Sequence, residues 1–358
     1  MAIAPETLEK LRADAELPSA DLSWLDLSVP WGMQAKPGRR GLTLDDINIG
    51  PYGEVAETTQ NFGTAPRGVT RRPEAPRTTV AYQEKADVWS KNSTLLYEEA
   101  VQRQWSSATD IPWEDLTPLP DDLEQAMCQY CTFLTEVEFI AGDVPGQWLP
   151  KISPEYYEAK LFLASQIMDE ARHLDVFRKR AFANGGGLRQ QTDENGLRAL
   201  IDAKDFTEMS ALMHVLAEGF VQSLFRMGEY IGKSEVDQRI FRMCAQDESR
   251  HIAFGIMHLK YVLETQPWRR EEIHSYFDLF EADLARPIEA MDMDPTNEAL
   301  LILLGGGRDK IDEGIQRSMA VGKRRVNEYM HRLEVAGMPE RRERMNPTFQ
   351  MMLEGGAG

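Results

Sequence analysis

The motif D-E-x-R-H occurs twice in this chain, at 169–173 and again at 247–251. On a helix, residues three apart share a face, so the Glu and the His of each copy can bind one metal ion together. Two copies indicate two metal ions in a dimetal site. The ligands predicted from the two copies are Glu170, His173, Glu248 and His251.

Helix bundles that hold two metal ions add one Glu from each of two further helices. Glu218 is the only carboxylate in the nearly apolar stretch 209–228, where an ionised acid must be paired or bound to a cation to be tolerated. The stretch 135–142 offers Glu136 or Glu138 at the matching place in the first half. These two acids lie about 200° apart around a helix, so only one of them can face the metals.

The resulting order is Glu, Glu-x-x-His, Glu, Glu-x-x-His, which indicates a pseudo-repeat of two helical hairpins. Glu136 precedes Glu170 by 34 positions, and Glu218 precedes Glu248 by 30. Four carboxylates would balance the charge of two divalent ions, whereas without metal they would repel one another. The sequence therefore predicts a four-helix core. The ligand helices are expected at about 119–142, 154–184, 205–232 and 235–264.

The chain divides by composition and periodicity. Its first 85 residues are rich in Pro, Gly, Arg and Thr and predict an extended arm with one short helix near Pro5 to Asp14. The rest is helical in pattern almost to the end, and strand signals are nearly absent. Ser153 and Ser234 are expected to cap the second and fourth ligand helices. The predicted regions are an N-terminal arm at 1–85, a helical domain at 86–340 and a C-terminal tail at 341–358.

Bulk properties exclude several classes of function. The 358 residues carry a net charge of -18, which argues against nucleic acid or an anionic membrane as the main partner. No stretch approaches the roughly 20 apolar residues needed to span a bilayer, and the amino terminus lacks the pattern of a signal peptide. Three cysteines are too few for a disulfide framework. We therefore expect a cytoplasmic protein.

The two D-E-x-R-H blocks, with glutamates at matching points upstream, resemble the ferritin-like di-iron carboxylate superfamily. Within it they most resemble the hydroxylase subunits of bacterial multicomponent monooxygenases and their smaller relatives. The resemblance covers roughly 95–265 and implies an all-α fold, a ferritin-like four-helix bundle core with additional helices. In that family the leading Glu tends to precede apolar residues at +3 and +4. This implies Glu136, followed by Phe139 and Ile140, as the first ligand in preference to Glu138.

The same resemblance implies a role for the Asp before each Glu. Asp169 and Asp247 would accept the free ring N–H of the metal-bound histidines, which fixes the tautomer and raises the basicity of the ligand. Arg172 and Arg250 lie between ligands in sequence. They are expected either to pair with these acids or to lie at the solvated surface.

Two further polar residues lie on the helix of Glu218. His214, one turn earlier, is either a third histidine ligand or a hydrogen-bonded core residue. Gln222, one turn later, occupies a place where related oxygenases have a residue beside the dioxygen pocket. A polar contact between helices explains Gln222 equally well.

Oxygen-rich sites with one imidazole each suit iron or manganese better than zinc. Two Fe ions are expected, with an Fe/Mn pair as the alternative, and two ferrous ions can supply electrons to dioxygen. We therefore hypothesise a di-iron oxygenase that hydroxylates a small organic substrate or oxidises its nitrogen. The chain has no ferredoxin cysteine set or dinucleotide fingerprint, so electrons are expected from a separate donor protein. A homodimer is also expected.

Two rival functions follow from the same superfamily. A radical-generating subunit, like the small subunit of class I ribonucleotide reductase, usually needs a tyrosine close to the metals, and the residue one turn after His173 is Phe177. A ferritin-like iron storage or structural subunit is the non-enzymatic alternative. Storage ferritins are much shorter, and structural subunits usually lack some of the ligands. All six ligands are present here.

Overall fold

The computed structural model is all-α. Its described residues form helices joined by turns and loops, with isolated β-bridges in place of strands, which confirms the predicted fold class. None of the described helices is both long and apolar enough to cross a membrane. The structure describes residues 4–14, 22–26, 32–72, 74, 76–78, 81–192, 197–290 and 293–354.

The N-terminal region has little regular structure and packs onto the helices that follow. Its first helix coincides with the short one predicted near Pro5 to Asp14. A buried ion pair joins Arg67 to Glu158, and Arg67 also donates to the Glu155 carbonyl at 2.7 Å. These contacts fasten the N-terminal region to the helical core. The helices up to residue 102 are α1 (Pro5–Asp14), α2 (Leu44–Ile47) and α3 (Ser93–Gln102).

Four long helical segments carry the predicted ligands. Ser153 Oγ accepts from the Glu155 amide at 3.3 Å, just before the second segment, and Ser234 Oγ accepts from the Asp237 amide at 3.1 Å at the start of the fourth, so both caps form. The third is interrupted by a π-helical turn, Ala211–Ala217, called the π-segment below. The helices are α4 (Asp121–Gly146), α5 (Tyr157–Ala183), α6 (Leu197–Ile201), α7 (Phe206–Ser210), α8 (Glu218–Ile231) and α9 (Glu235–Thr265).

The C-terminal helices cover one side of the bundle, where α12 packs against α8, α9 and the π-segment. Residues 341–354, expected to be a tail, form two short helices, and Arg341 and Phe349 are buried in them. The last four residues lie outside the described part of the chain. These helices are α10 (Arg270–Ala290), α11 (Pro295–Gly305), α12 (Ile311–Ala336), α13 (Arg341–Arg344) and α14 (Pro347–Glu354).

A polar layer divides the apolar core into two parts. Along α5, Leu163 belongs to one apolar cluster and Val176 to the other, and the ligand motif of this helix lies between them. The same change of cluster occurs along α9, between Ala245 and Phe254. The bundle therefore holds its acids and histidines at mid-height, with apolar packing above and below that excludes water.

Candidate dimetal centre

Six buried side chains meet in the polar layer and form two overlapping groups suited to metal ions. Glu170 and Glu248 belong to both groups, so the two copies of D-E-x-R-H face the same interior. The first cluster is Glu138, Glu170, His173 and Glu248, and the second cluster is Glu170, Glu218, Glu248 and His251.

His173 is at the middle of the first cluster. Its Nδ1 lies 3.2 Å from Glu170 Oε2, 3.3 Å from Glu248 Oε1 and 3.7 Å from Glu138 Oε2. Within the cluster, one candidate ligand atom from each residue lies within 4.8 Å of all the others. One ion could therefore contact all four residues.

His251 occupies the same position in the second cluster. Its Nδ1 lies 3.1 Å from Glu170 Oε1, 3.2 Å from Glu248 Oε2 and 3.9 Å from Glu218 Oε2. The two oxygens of Glu170 thus approach different histidines, and so do those of Glu248. This arrangement lets both carboxylates bridge a pair of ions.

The structure corrects the choice of the first acid, because Glu138 joins the cluster and Glu136 does not. Glu136 is half-buried and accepts from Thr192, at 3.2 Å from the backbone amide and 2.5 Å from the hydroxyl. Phe139, taken as an inward apolar neighbour of Glu136, is 55% exposed, whereas Cys131 is fully buried on the face of Glu138. The helix is therefore rotated so that the alternative stripe faces the bundle interior.

Each candidate histidine ligand is held by the Asp of the opposite motif. Asp247 Oδ2 lies 3.2 Å from His173 Nε2, and Asp169 Oδ2 lies 3.3 Å from His251 Nε2. Each Asp thus accepts the Nε2–H of a histidine on the other helix, which leaves the Nδ1 lone pair directed at the cluster. The expected carboxylate partners are present, and they also tie α5 to α9.

Two buried arginines complete this link between α5 and α9. Arg250 Nη2 donates to Asp169 Oδ2 at 2.8 Å and to Asp247 Oδ1 at 2.6 Å. Arg172 Nη2 donates to Asp247 Oδ2 at 3.1 Å and also pairs with Asp169. Of the two expected positions, acid partner and solvated surface, the structure places both arginines beside the acids. Two acids and two guanidiniums leave this layer close to neutral.

Trp105 is a member of the site that the sequence did not reveal. Its Nε1 donates to Asp247 Oδ2 at 2.8 Å, and the Arg172 guanidinium lies 5.0 Å from its ring centroid. The residue follows α3 and is 142 positions from Asp247. No motif surrounds it, so only the three-dimensional structure identifies it.

The second cluster has a polar neighbourhood of its own. Gln166 Nε2 donates to Glu218 Oε1 at 3.2 Å, and Gln166 Oε1 lies 3.1 Å from His214 Nε2. His214 Nδ1 in turn lies 2.9 Å from Ser210 Oγ. His214 is therefore a hydrogen-bonded core residue that makes no contact with the cluster, and burial lowers its pKa to about 3.

Gln222 packs between helices. Its Nε2 donates to Ser249 Oγ at 2.7 Å and to the Ala245 carbonyl at 3.2 Å. These contacts join α8 to α9. The sequence left two interpretations of Gln222 open, a residue beside a dioxygen pocket and a polar contact between helices. These hydrogen bonds fit the polar contact between helices.

Buried atoms without partners test whether metal ions would fit here. Both oxygens of Glu138 and of Glu170 have no hydrogen-bond partner in the structure, and neither do Glu248 Oε1 and His173 Nδ1. Leaving buried carboxylates unpaired is costly, and several around one point also repel one another. Two divalent cations would satisfy these atoms and balance four carboxylates. The donor set therefore fits a dimetal site.

The pKa values of two glutamates and both histidines of the site are raised, as expected for groups that bind protons when no metal ion is bound. Burial and the neighbouring carboxylates raise the pKa of Glu138 and of Glu218 well above its usual value. Burial acts to lower the pKa of His173 and of His251, but Cys244 and the acids around His173, and the acids around His251, outweigh it and hold both pKa values well above the ordinary value. Metal ions would displace such protons.

Comparisons with known proteins identify the fold. No family model and no curated protein sequence matches this chain. A variant of an R2-like ligand-binding oxidase with an aerobically reconstituted Fe/Fe cofactor is 18% identical with a TM-score of 0.53, over 69% of this chain and 94% of that chain. A second variant, with an anaerobically reconstituted Mn/Fe cofactor, is 18% identical with a TM-score of 0.50 over the same shares. The chain therefore has the ferritin-like fold of the R2-like ligand-binding oxidases.

Proposed function

We propose that this protein is an oxidoreductase that activates dioxygen at a pair of metal ions, either Fe/Fe or Mn/Fe. The observation that carries the proposal is the pair of buried clusters that share Glu170 and Glu248. The structurally similar oxidases carry Fe/Fe or Mn/Fe cofactors, which supports the choice of metals. When bound, two reduced ions of this kind would supply electrons to dioxygen.

Four of the six proposed ligands would each bind one ion, and the other two would bind both ions. Glu138 and His173 would hold the ion of the first cluster, and Glu218 and His251 the ion of the second. Glu170 and Glu248 would bridge the two. The proposed ligands thus include Glu138, where the sequence favoured Glu136.

The residues around the ligands keep the centre dry and oriented. His173 lies against Phe225, with ring centroids 6.0 Å apart, and His251 lies against Phe162 at 6.4 Å. The Asp partners hold both imidazoles in one tautomer. Bulk water is excluded by the apolar clusters on both sides, so each charge in the centre interacts strongly with its neighbours.

We further propose that the reaction is hydroxylation or N-oxygenation of a small organic substrate. One oxygen atom would enter the substrate and the other would leave as water, a reaction that takes two electrons from a separate donor protein and two protons from the solvent. The series Trp105, Asp247 and His173 is hydrogen-bonded and would offer those electrons a route, since Trp105 is buried but stands between the exposed residues Gln104 and Ser106. A cleft of about 1060 Å³ between α4 and α11 contacts none of the six ligands, so we do not assign the reaction to it.

The radical-generating alternative is less well supported by the surroundings of the centre. Among the described residues, the aromatic rings beside His173 and His251 are Trp105, Phe225 and Phe162, and none is a tyrosine ring. Phe177, one turn after His173, packs on Phe225 at 5.3 Å. A phenylalanine cannot form a tyrosyl radical.

Oxygen uptake by the loaded protein tests the proposal. Protein loaded anaerobically with ferrous iron and mixed with dioxygen should consume it stoichiometrically with the bound ions, and Glu170→Ala should abolish the uptake. With a chemical reductant and a panel of small aromatic and amine compounds, the label of ¹⁸O₂ should appear in a product. A persistent organic radical in the electron paramagnetic resonance spectrum would contradict the oxygenase and favour the reductase-like alternative. Accumulation of mineral iron would favour storage.

A further inference from the structure

The π-segment ends directly at Glu218 and sets the face on which this residue lies. The backbone N–H of Glu218 donates to the Met213 carbonyl five residues earlier, the bond that defines a π-turn. Such a turn inserts one extra residue, which rotates everything after it by about 100° relative to an unbroken α-helix. Glu218 therefore faces the second cluster only while the π-segment persists.

Arg332 of α12 contacts this segment from the outside. Its Nε donates to the Val215 carbonyl at 2.8 Å. A Cβ on Gly219 would lie 2.2 Å from the guanidinium carbon, so the arginine rests directly on the backbone beside Glu218. Only glycine at position 219 leaves room for this contact.

Packing alone does not account for an arginine in this place. Arg332 is 7% exposed, and it takes part in none of the ion pairs found among the described residues. Its Nη2 has no hydrogen-bond partner, and burial lowers its pKa to about 10. A buried guanidinium without a carboxylate is costly. Arg332 donates to the Val215 carbonyl, and its guanidinium carbon lies 5.9 Å from the Tyr329 ring centroid.

The inner side of the π-segment is packed equally closely. A Cβ on Gly255 of α9 would lie 2.3 Å from His214 Cβ, so the segment approaches the α9 backbone at this point. The segment is therefore held between α9 on one side and Arg332 on the other.

We infer that Arg332 is a positioning residue that maintains the π-segment and thereby directs Glu218 towards the second cluster. It acts through Val215 and Gly219 and does not touch the cluster itself. The metal-binding part of this inference rests on the proposed function, whereas the conformational part does not.

Hydrogen exchange of the metal-free protein, followed by mass spectrometry, tests the conformational part. In Arg332→Met, which keeps an unbranched apolar chain, amides in the peptide covering 211–220 should exchange about tenfold faster, as expected when one hydrogen bond is lost. Arg325→Met is the matched control, because Arg325 lies on the same helix with its guanidinium over the Phe220 ring. Arg332→Lys, which retains a donor, should restore most of the protection.

Metal content tests the consequence for Glu218. After anaerobic loading, Arg332→Met should hold about one ion per chain where the parent holds two, and Arg325→Met should hold two. Gly219→Ala displaces the guanidinium while leaving Arg332 in the chain. It should give the same faster exchange and the same loss of one ion, and it replaces Arg332→Met in both experiments if that variant does not fold.

Unchanged exchange at 211–220, or equal acceleration in the Arg325→Met control, would overturn the inference. A parent protein that binds no metal would instead contradict the proposed function, and the exchange result would still decide the role of Arg332.

Discussion

The two clusters have equivalent ligands but different surroundings. Beside the first, His173 is bonded through Asp247 to Trp105, and the buried Cys244 lies near it. Beside the second, Glu218 is bonded through Gln166 to His214 in the middle of the π-segment. The first cluster is thus linked to a buried indole that follows α3, and the second lies against an irregular stretch of helix.

This difference shows that the repeated motif determines the ligand set but not the properties of each ion. Duplication of Glu and Glu-x-x-His would give each of the proposed ions one imidazole and a share of the same two carboxylates. The residues that could hold a ligand in place come from outside the motif, such as Trp105 after α3 and Arg332 of α12, and they differ between the two clusters. The two ions are therefore expected to differ in affinity and in redox behaviour.

The largest expected effect comes from the ligands that the two clusters share. Glu170→Ala and Glu248→Ala should each reduce metal content from two ions per chain to nearly none, because each removes a ligand from both clusters. Glu138→Ala and Glu218→Ala should each leave about one ion. Elemental analysis after anaerobic loading with ferrous iron measures this, and circular dichroism shows whether each variant is folded. Equal losses in all four variants would contradict the division into two clusters.

The choice between Glu138 and Glu136 gives the next largest effect. Glu138→Ala should remove the ion of the first cluster, whereas Glu136→Ala should keep both ions and lose only its hydrogen bonds to Thr192. The latter loss should cost about 1 kcal/mol of unfolding free energy. Metal analysis and urea unfolding of the two variants provide the comparison. Loss of metal in Glu136→Ala alone would mean that α4 is rotated relative to the present structure.

The sequence predicts much of this centre because several of its signals are local. Three-residue spacing places Glu and His on one helix face whatever the tertiary context. An isolated acid in an apolar stretch, such as Glu218, needs a partner in any fold. The helix caps at Ser153 and Ser234 are also local and form as predicted.

Features that depend on how distant helices pack could not be predicted in this way. Glu136 and Glu138 both lie on apolar stripes of α4, and the helix orientation that separates them is set by α5 and the bundle around it. Trp105, which follows α3, donates to Asp247, whereas Arg332 of α12 contacts the π-segment, and neither residue lies in a motif. The π-segment has the same apolar composition as an α-helix, so the sequence indicated one unbroken helix there.

The crossed Asp partners predict effects on the cluster of the opposite motif. Asp247→Asn should weaken the ion held by His173, and Asp169→Asn the ion held by His251, by roughly 10- to 100-fold each. The affinity of each ion can be measured separately in a variant protein that keeps only that ion. In Glu218→Ala, which keeps the first ion, Asp247→Asn should reduce affinity much more than Asp169→Asn. The reverse order should hold in Glu138→Ala, and equal effects in both backgrounds would contradict the crossed pairing.

The smallest predicted effect is the acid sensitivity of folding stability that His214, behind Glu218 of the second cluster, contributes. Burial lowers the pKa of His214 to about 3 from an ordinary value of 6.5. Below pH 6.5 the unfolded chain gains a proton at this residue that the folded chain does not, so folding stability falls as pH falls towards about 3. One group of this kind contributes up to about 1.4 kcal/mol per pH unit over that window, and nothing further below it.

Urea unfolding of the metal-free protein between pH 7 and pH 4.5 measures this contribution. His214→Gln should be less stable at pH 7, since Ser210 and Gln166 lose an ideally placed partner, but its stability should fall less steeply with acid. The gap between variant and parent should therefore narrow by about 2 kcal/mol across the range. His331→Gln is the matched surface control, because the His331 side chain is 76% exposed. If the unfolding free energies of His214→Gln and the parent fell with pH in parallel, solvent would reach His214. The hydrogen-bonded series Gln166, His214 and Ser210 would then not distinguish the second cluster from the first.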